Sequence, residues 1–582
     1  MKHYYSNEKS ILILISLLKQ HGIKKVIASP GTTNLTFVAS IQQDPWFEIY
    51  SSADERSAAY IACGMAAESG EPVVFTCTGA TASRNYMPGL TEAYYRKLPV
   101  LAVTSTQDET KIGHLHAQVI DRRSLPNDIV LLSEHISVTH NDIDRWSNTV
   151  KINRALLELK HRGGGPVHLN VTTTYSRDFS VEKLPKARMI RRICRDDHFP
   201  EIPKGRIAVY IGSHRPYTEA ETMAIDNFCA SHDAVVFCNH QSGYKGKYRV
   251  LFTLVTSQDK NVCDLTMIDL LIDIGEVSGG NIRLLPKTVW RVSEDGCVRD
   301  PFRRLRVVFE MSEQTFFSHY TAQSFEPKTT YLEACTNEMR QTVTKISDNL
   351  PFSNLWIAIR SINKLPAGCV LHLGILNSLR SWNMFDIPDT VYAYSNTGGF
   401  GIDGDVSSMI GASLVHKEKL YFCIVGDLAF FYDMNVLGNR HVGNNVRIMI
   451  INNGKGTEFR NYNHPGADFG EEADDYIAAA GHYGNKSGQL VKHYAQDLGY
   501  EYLCASTKEE FLSVYERFLT PGMTEKPMVF EVFTDSQEES EALKICRNTV
   551  VSAKGLLISA VAKTIGKGRM QILKQKILNA KG

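Results

Sequence analysis

The stretch GDLAFFYDMNVLGNRHVGNNVRIMIINNGKG, residues 426–456, follows the apolar run LYFCIV at 420–425. That run reads as a buried strand, and Gly426 marks a sharp turn after it. Asp427 then stands at the C-terminal end of a strand, the edge at which open α/β sheets bind ligands. A second apolar run, 446–451, delivers Asn452 and Asn453 to the same edge. One carboxylate and one amide oxygen on neighbouring strand ends suit an octahedral Mg²⁺ that also holds a diphosphate. Taken alone, the same residues also fit Asp427 capping a helix and Asn-Asn-Gly making a turn.

The N-terminal third repeats the strand-turn-helix pattern. Residues 25–28 read as a strand, turned by Ser29-Pro30-Gly31, and YSSADER at 50–56 precedes a helix rich in small residues, SAAYIACGMAA at 57–67. A strand at 73–76, the turn Thr78-Gly79-Ala80-Thr81, a helix at 85–93 and a strand at 99–104 follow. Small residues on one helix predict close packing against its neighbour.

In order and spacing, these two regions resemble the thiamine diphosphate enzymes. Their pyrimidine-binding domain carries a glutamate at the position of Glu55, a loop glycine at Gly79, and a helix bearing Asn85, Pro88 and Glu92. Their diphosphate-Mg²⁺ motif begins Gly-Asp-Gly and ends Asn-Asn. The resemblance implies thiamine diphosphate and Mg²⁺ as cofactors, with Asp427, Asn453 and the Lys455 carbonyl as metal ligands and Gly426 and Leu428 beside the diphosphate. Leu428 replaces the third residue of the opening triplet. The implied role of Glu55 is to bond N1′ of the aminopyrimidine, favouring the tautomer whose 4′-nitrogen takes the C2 proton; burial there is expected to raise its pKa. The alternative is a first-turn acid favoured by the helix dipole.

The implied fold is α/β, with three doubly wound parallel-sheet domains. We expect a pyrimidine-binding domain over 1–178, a linker at 179–204 and a middle Rossmann-like domain over 205–327. A second linker at 328–350, a diphosphate- and Mg²⁺-binding domain over 351–545 and a basic tail at 546–582 follow. The first and third domains should share a fold. The middle domain has Gly212 but no GxGxxG, so no flavin or nucleotide is expected there. In the tail, Lys554, Lys563, Lys567, Arg569, Lys574, Lys576 and Lys581 lie among apolar residues. A helix packed on its own protein or a lid is favoured over a membrane contact, because Gly555, Gly566 and Gly568 interrupt it.

Composition agrees with these expectations. Across 582 residues the formal net charge is +1, so nothing points to nucleic acid. The twelve cysteines show no CxxC pair, which favours reduced thiols in a cytoplasmic protein and argues against zinc. The apolar run at 11–18 is too short to span a bilayer, so a membrane protein is not expected.

Within the family, the chain is similar to the 2-succinyl-5-enolpyruvyl-6-hydroxy-3-cyclohexene-1-carboxylate synthases, and more broadly to the acetolactate synthase branch. The similar stretches are ASPG at 28–31, DERSAA at 54–59, SN at 395–396 with GIDG at 401–404, and VGDL at 425–428 with YDMN at 432–435. By that likeness Ile402 sits under the thiazolium, Gln118 faces the substrate and Phe459 lies in the loop after the metal motif. The synthases' arginines fall on Thr33, Gln107 and Thr397 here, and only Arg380 has a counterpart. Each missing guanidinium removes a bidentate carboxylate anchor. Isochorismate plus 2-oxoglutarate is therefore disfavoured.

His114 and His116 resemble in position a His-His pair of the pyruvate decarboxylase branch and are candidate proton donors, or else ordinary loop histidines. Arg122 and Arg123 can meet an anionic acceptor or be solvated. The expected function is a transferase or lyase acting as a carboligase. It would decarboxylate a small, pyruvate-like 2-oxo acid and pass the acyl unit to a carbonyl or enone acceptor, with Arg380 on a carboxylate. The alternatives are simple decarboxylation to an aldehyde, as in pyruvate- or phosphonopyruvate-decarboxylase-like enzymes, the menaquinone-pathway synthase itself, and a non-catalytic regulatory subunit. The family implies a homodimer or homotetramer with active sites between subunits.

Overall fold

The computed structural model describes residues 4–280, 282–347 and 349–556. The tail lysines and arginine from Lys563 onward lie outside the described residues. Three sheets, all parallel, alternate with helices along the chain. The chain divides into two compact units: Met1–His198 with Asp295–Glu310, and Phe199–Glu294 with the described residues from Met311 on.

The first sheet contains β1 (Lys25–Ala28), β2 (Glu48–Ser51), β3 (Val73–Cys77), β4 (Val100–Thr106), β5 (Leu132–Ile136) and β6 (Val167–Thr172). Their order is β2-β1-β3-β4-β6-β5. Strands β3, β4 and β6 are buried throughout, as parallel strands covered on both faces are, and β3 and the start of β4 read as apolar runs. β5 escapes sequence reading because its LSEHI is polar and it lies at the sheet edge.

The helix Glu55–Ser69 begins at Asp54, whose carboxylate accepts the backbone N–H groups of Arg56 and Ser57. Its end is set by Gly70 at φ 66°, a left-handed conformation that favours glycine. The buried face is Ala58, Ala59, Ala62, Cys63 and Ala66. That small-residue face lets the helix Met87–Tyr95 approach until a Cβ added at Gly89 would stand 2.5 Å from the Ala59 Cβ. The predicted close packing is therefore observed, and it fixes the helix that carries Glu55.

The middle sheet draws on β7 (Arg191–Cys194), β8 (Ile207–Ile211), β9 (Val235–Cys238), β10 (Arg249–Val250), β11 (Met267–Ile274), β12 (Leu285–Val292) and β13 (Leu305–Glu310). Within the second unit the order is β10-β9-β8-β11-β12, and within the first unit β13 pairs with β7. At the C-terminal ends of these strands the chain packs against its own glycines. A Cβ at Gly212 would meet the Glu276 carbonyl at 2.0 Å, and one at Gly280 the Asn239 amide at 2.1 Å.

The third sheet holds β14 (Val370–Leu373), β15 (Tyr392–Tyr394), β16 (Tyr421–Gly426), β17 (Val446–Asn452), β18 (Glu501–Ala505) and β19 (Met528–Phe533). Its order, β15-β14-β16-β17-β19-β18, repeats that of the first sheet strand for strand. The two outer domains thus share one topology. Apolar clusters cover both faces of the third sheet, one around Trp356, Trp382 and Phe530, the other around Phe430, Ile448 and Val529. The register pairs Gly426 with Ile451, which sets Asp427 and the asparagine pair side by side at one edge.

Among the described residues, no helix is long and apolar enough to cross a membrane.

Candidate active site

Asp427 opens the helix Asp427–Asp433 directly after β16 and is buried at 4% exposure. Its carboxylate accepts the Gly454 N–H at 2.9 Å. Burial pushes its pKa up to about 7, against the pull of the backbone N–H groups of Leu428 and Gly454. The charge of Glu531 adds to the upward push, and a buried carboxylate in such surroundings calls for a metal or a proton. Asn453 supplies a second oxygen, Oδ1, which is buried and has no hydrogen-bond partner among the described residues. The Lys455 carbonyl accepts from the Thr457 N–H at 2.9 Å and keeps a second lone pair.

The oxygen set fits a hard divalent ion such as Mg²⁺. With one carboxylate, one amide and one carbonyl, it needs no cluster of acids or histidines, and none of three or more stands among the described residues. Asn452 is turned elsewhere: its Nδ2 donates to buried Glu531 at 2.7 Å. The space above the strand ends is open. A Cβ at Gly398, Gly399, Gly404 or Gly426 would meet nothing within 4 Å, a cradle suited to a diphosphate. Leu428 follows in the same helical turn, and Ile402 packs at the edge of the neighbouring apolar cluster.

In the first unit, Glu55 is the first residue of its helix and is half-exposed. The Asn85 amide donates to Glu55 Oε2 at 3.0 Å and to Asp54 Oδ1 at 2.7 Å, tying the carboxylate to the helix cap. Gly79 lies against the guanidinium of Arg122, with 2.8 Å between a Cβ placed there and the nearest nitrogen. Arg122 is thus buried at 1% exposure and donates to the Ser83 hydroxyl at 3.2 Å. Its Nε and Nη2 are buried and have no hydrogen-bond partner among the described residues. Arg123 pairs with Asp121 at 2.8 Å. Thr33 is buried between the Thr78 hydroxyl at 2.6 Å and the Ser105 carbonyl at 2.9 Å. His114, His116 and Gln118 are all exposed on the loop after β4, with Gln118 at φ 63°.

The second unit encloses a cavity of about 490 Å³ lined by Arg380, Glu458, Asn461 and His464 among others. Arg380 stands on the helix Asn377–Trp382 after β14 and is ion-paired with Glu458, three residues beyond Lys455. Phe459 is half-buried and meets the His464 ring edge-on at 5.3 Å. Of the residues that line the cavity, the sequence singles out Arg380 but not Glu458 or Arg283. Glu458, a loop glutamate beside Phe459, gives no sign in the sequence that it faces Arg380 rather than solvent. Arg283, from the segment before β12, carries no local signal.

Among known proteins, residues 12–125 match the thiamine pyrophosphate enzyme N-terminal TPP binding domain. A 2-succinyl-5-enolpyruvyl-6-hydroxy-3-cyclohexene-1-carboxylate synthase of Bacteroides fragilis is 30% identical over 560 residues, covering 93% of this chain and 98% of the relative. A synthase of the same name from Phocaeicola vulgatus is 29% identical with the same coverage. One from Desulfotalea psychrophila is 27% identical, covering 88% of this chain and 96% of its own. The chain therefore belongs to the thiamine diphosphate-dependent enzymes, on the branch that includes these synthases.

Proposed function

We propose that the protein is a Mg²⁺- and thiamine diphosphate-dependent carboligase. It removes CO₂ from a small, pyruvate-like 2-oxo acid and transfers the acyl unit to a carbonyl or enone acceptor. The observation that carries this reading is the buried Asp427–Asn453 oxygen set, which lies one loop away from the enclosed cavity. Bound there, the cofactor supplies a nucleophilic carbon able to add to a ketone and to hold the electron pair released with CO₂.

The chain's own residues do the rest. Asp427, Asn453 and the Lys455 carbonyl hold Mg²⁺. Gly426, Leu428 and Ile402 shape the cofactor's seat, Gly79 and Asn85 that of the pyrimidine. Glu55 exchanges a proton with N1′. His114, His116 and Gln118 stand on an exposed loop, and their part in protonating substrate depends on a second subunit closing over it. We accordingly propose a homodimer or homotetramer, in which Glu55 of one subunit serves the diphosphate site of another. All twelve cysteines are free thiols, which supports a cytoplasmic setting.

The relatives' names point to the menaquinone-pathway synthase. Thr33 argues against it for this chain, because a buried, hydrogen-bonded threonine fills the place of a carboxylate-binding arginine. The test is CO₂ release from a panel of 2-oxo acids, for the native chain and Glu55→Gln, with and without candidate acceptors. Glu55-dependent release with a ligated product supports the carboligase. Release with aldehyde alone, unaffected by any acceptor, assigns a simple decarboxylase. Cofactor binding without release from any donor favours a silent subunit.

A further inference from the structure

Three arginines line the cavity beside the metal loop, and their charges are not equivalent. Arg547 pairs with Asp259 at 2.8 Å and donates to the Ser257 carbonyl at 3.1 Å. Arg380 pairs with Glu458. Arg283 has no hydrogen-bond or ion-pair partner within contact distance among the described residues, and burial and the nearby Arg547 hold its pKa below the usual value against the more distant pull of Asp259.

Glu458 is fixed in place by more than Arg380. The Asn461 amide reaches its Oε2 at 3.4 Å, and the Asn377 amide, oriented to satisfy both its ends, donates to the same oxygen at 2.8 Å. The cavity's other acid, Glu539, accepts the Asn354 N–H and the Thr534 hydroxyl and engages none of these arginines. A ligand carboxylate approaching Arg380 must displace Glu458 or sit beside it, like charge against like charge. The Arg380 Nε is itself buried and unpartnered, so a guanidinium relieved of the Glu458 charge has donors free for a ligand carboxylate.

We propose that Glu458 sets the charge selectivity of this cavity: it takes up the charge of Arg380 and leaves Arg283 to hold a ligand bearing a single carboxylate, so that dicarboxylates are rejected. This rests on reading the cavity as the substrate pocket of the carboligase. Specificity here comes from a built-in repulsion as much as from an attraction.

The test uses cofactor-loaded protein and two unreactive probes of equal length, butyrate and succinate, with affinities measured by ligand-detected NMR. The native chain should prefer butyrate by about tenfold or more, the scale of one charge-assisted contact. Glu458→Gln should gain about tenfold for succinate with butyrate little changed, and Glu458→Asp should keep the native preference. Arg283→Gln should lose about tenfold for butyrate. An unchanged preference in Glu458→Gln, or full butyrate affinity in Arg283→Gln, overturns the proposal. Neither probe can be decarboxylated. Selectivity without CO₂ release from any 2-oxo acid would therefore sink the carboligase and leave the selectivity standing. CO₂ release with no shift in selectivity would overturn the selectivity alone.

Discussion

The Asp427 carboxylate and the Gly454 N–H, 27 residues apart in sequence, meet at 2.9 Å and close the metal loop onto the end of β16. The loop is thereby shaped before any ion arrives, while Asn453 Oδ1 stays unpartnered. Asp427→Asn keeps an oxygen for Gly454 and removes the buried charge. We expect the fold to survive and Mg²⁺-dependent cofactor affinity to fall by about 100-fold or more, beyond what loss of an outer partner costs. Titration of thiamine diphosphate at fixed Mg²⁺, alongside thermal unfolding, checks both halves. Unchanged affinity would remove Asp427 from the metal site.

Asn85 bridges Asp54 and Glu55 and so holds the Glu55 carboxylate at the head of its helix. Asn85→Ala should keep the Glu55 carboxylate but leave it mispositioned at the head of its helix. Since small misplacements cost catalysis more than binding, exchange of the cofactor's C2 proton should slow by about tenfold to 100-fold. Cofactor affinity should change little, because the diphosphate end is untouched. Exchange followed by NMR in D₂O separates the two; equal loss in both would indicate that Asn85 only supports the local fold.

Gly89→Ala places a Cβ 2.5 Å from the Ala59 Cβ and 3.1 Å from the Ala59 carbonyl carbon. The backbone contact leaves little room to relax, and overpacking of this kind costs about 1–3 kcal/mol. The unfolding midpoint should drop. Adding Ala59→Gly should restore part of the loss despite its own helix penalty of about 1 kcal/mol. A double variant no more stable than Gly89→Ala would show that the two positions do not compete for the same space.

The diphosphate edge was legible because β16 and β17 are largely apolar and end in Gly426 and Asn452, so type and edge could both be read. That the first and third domains share a fold was implied by the family resemblance, and their common strand order agrees with it. Asp427 and Asn453 were equally legible, each being a polar residue at the end of a buried strand. Glu458 was not. Whether a loop glutamate faces solvent or an arginine 78 residues away is decided by tertiary packing, not by local pattern. Arg122 shows the same limit in reverse: a loop arginine between polar neighbours reads as solvated, yet it is buried against Gly79. Burial of charge is invisible to periodicity.

Glu539 is buried on the helix Ser536–Arg547, where its Oε1 accepts the Asn354 N–H at 2.9 Å and the Thr534 hydroxyl at 2.8 Å. Burial pushes its pKa up to about 7 from an ordinary 4.5, against those hydrogen bonds. The folded chain therefore holds a proton that the unfolded chain has lost. Below pH 4.5 both states are protonated and Glu539 costs nothing. As the pH rises toward 7 the unfolded state alone ionises, and stability falls by about 3 kcal/mol in the limit, a cost that persists above pH 7. Glu539→Gln preserves the Oε1 acceptor and cannot ionise. Relative to the native chain it should be more stable at about pH 8 and indistinguishable at about pH 4, as read by urea unfolding across that range. A constant difference between the two chains at every pH would mean that the carboxyl does not titrate between the two states, and that burial of Glu539 does not set the pH dependence of stability.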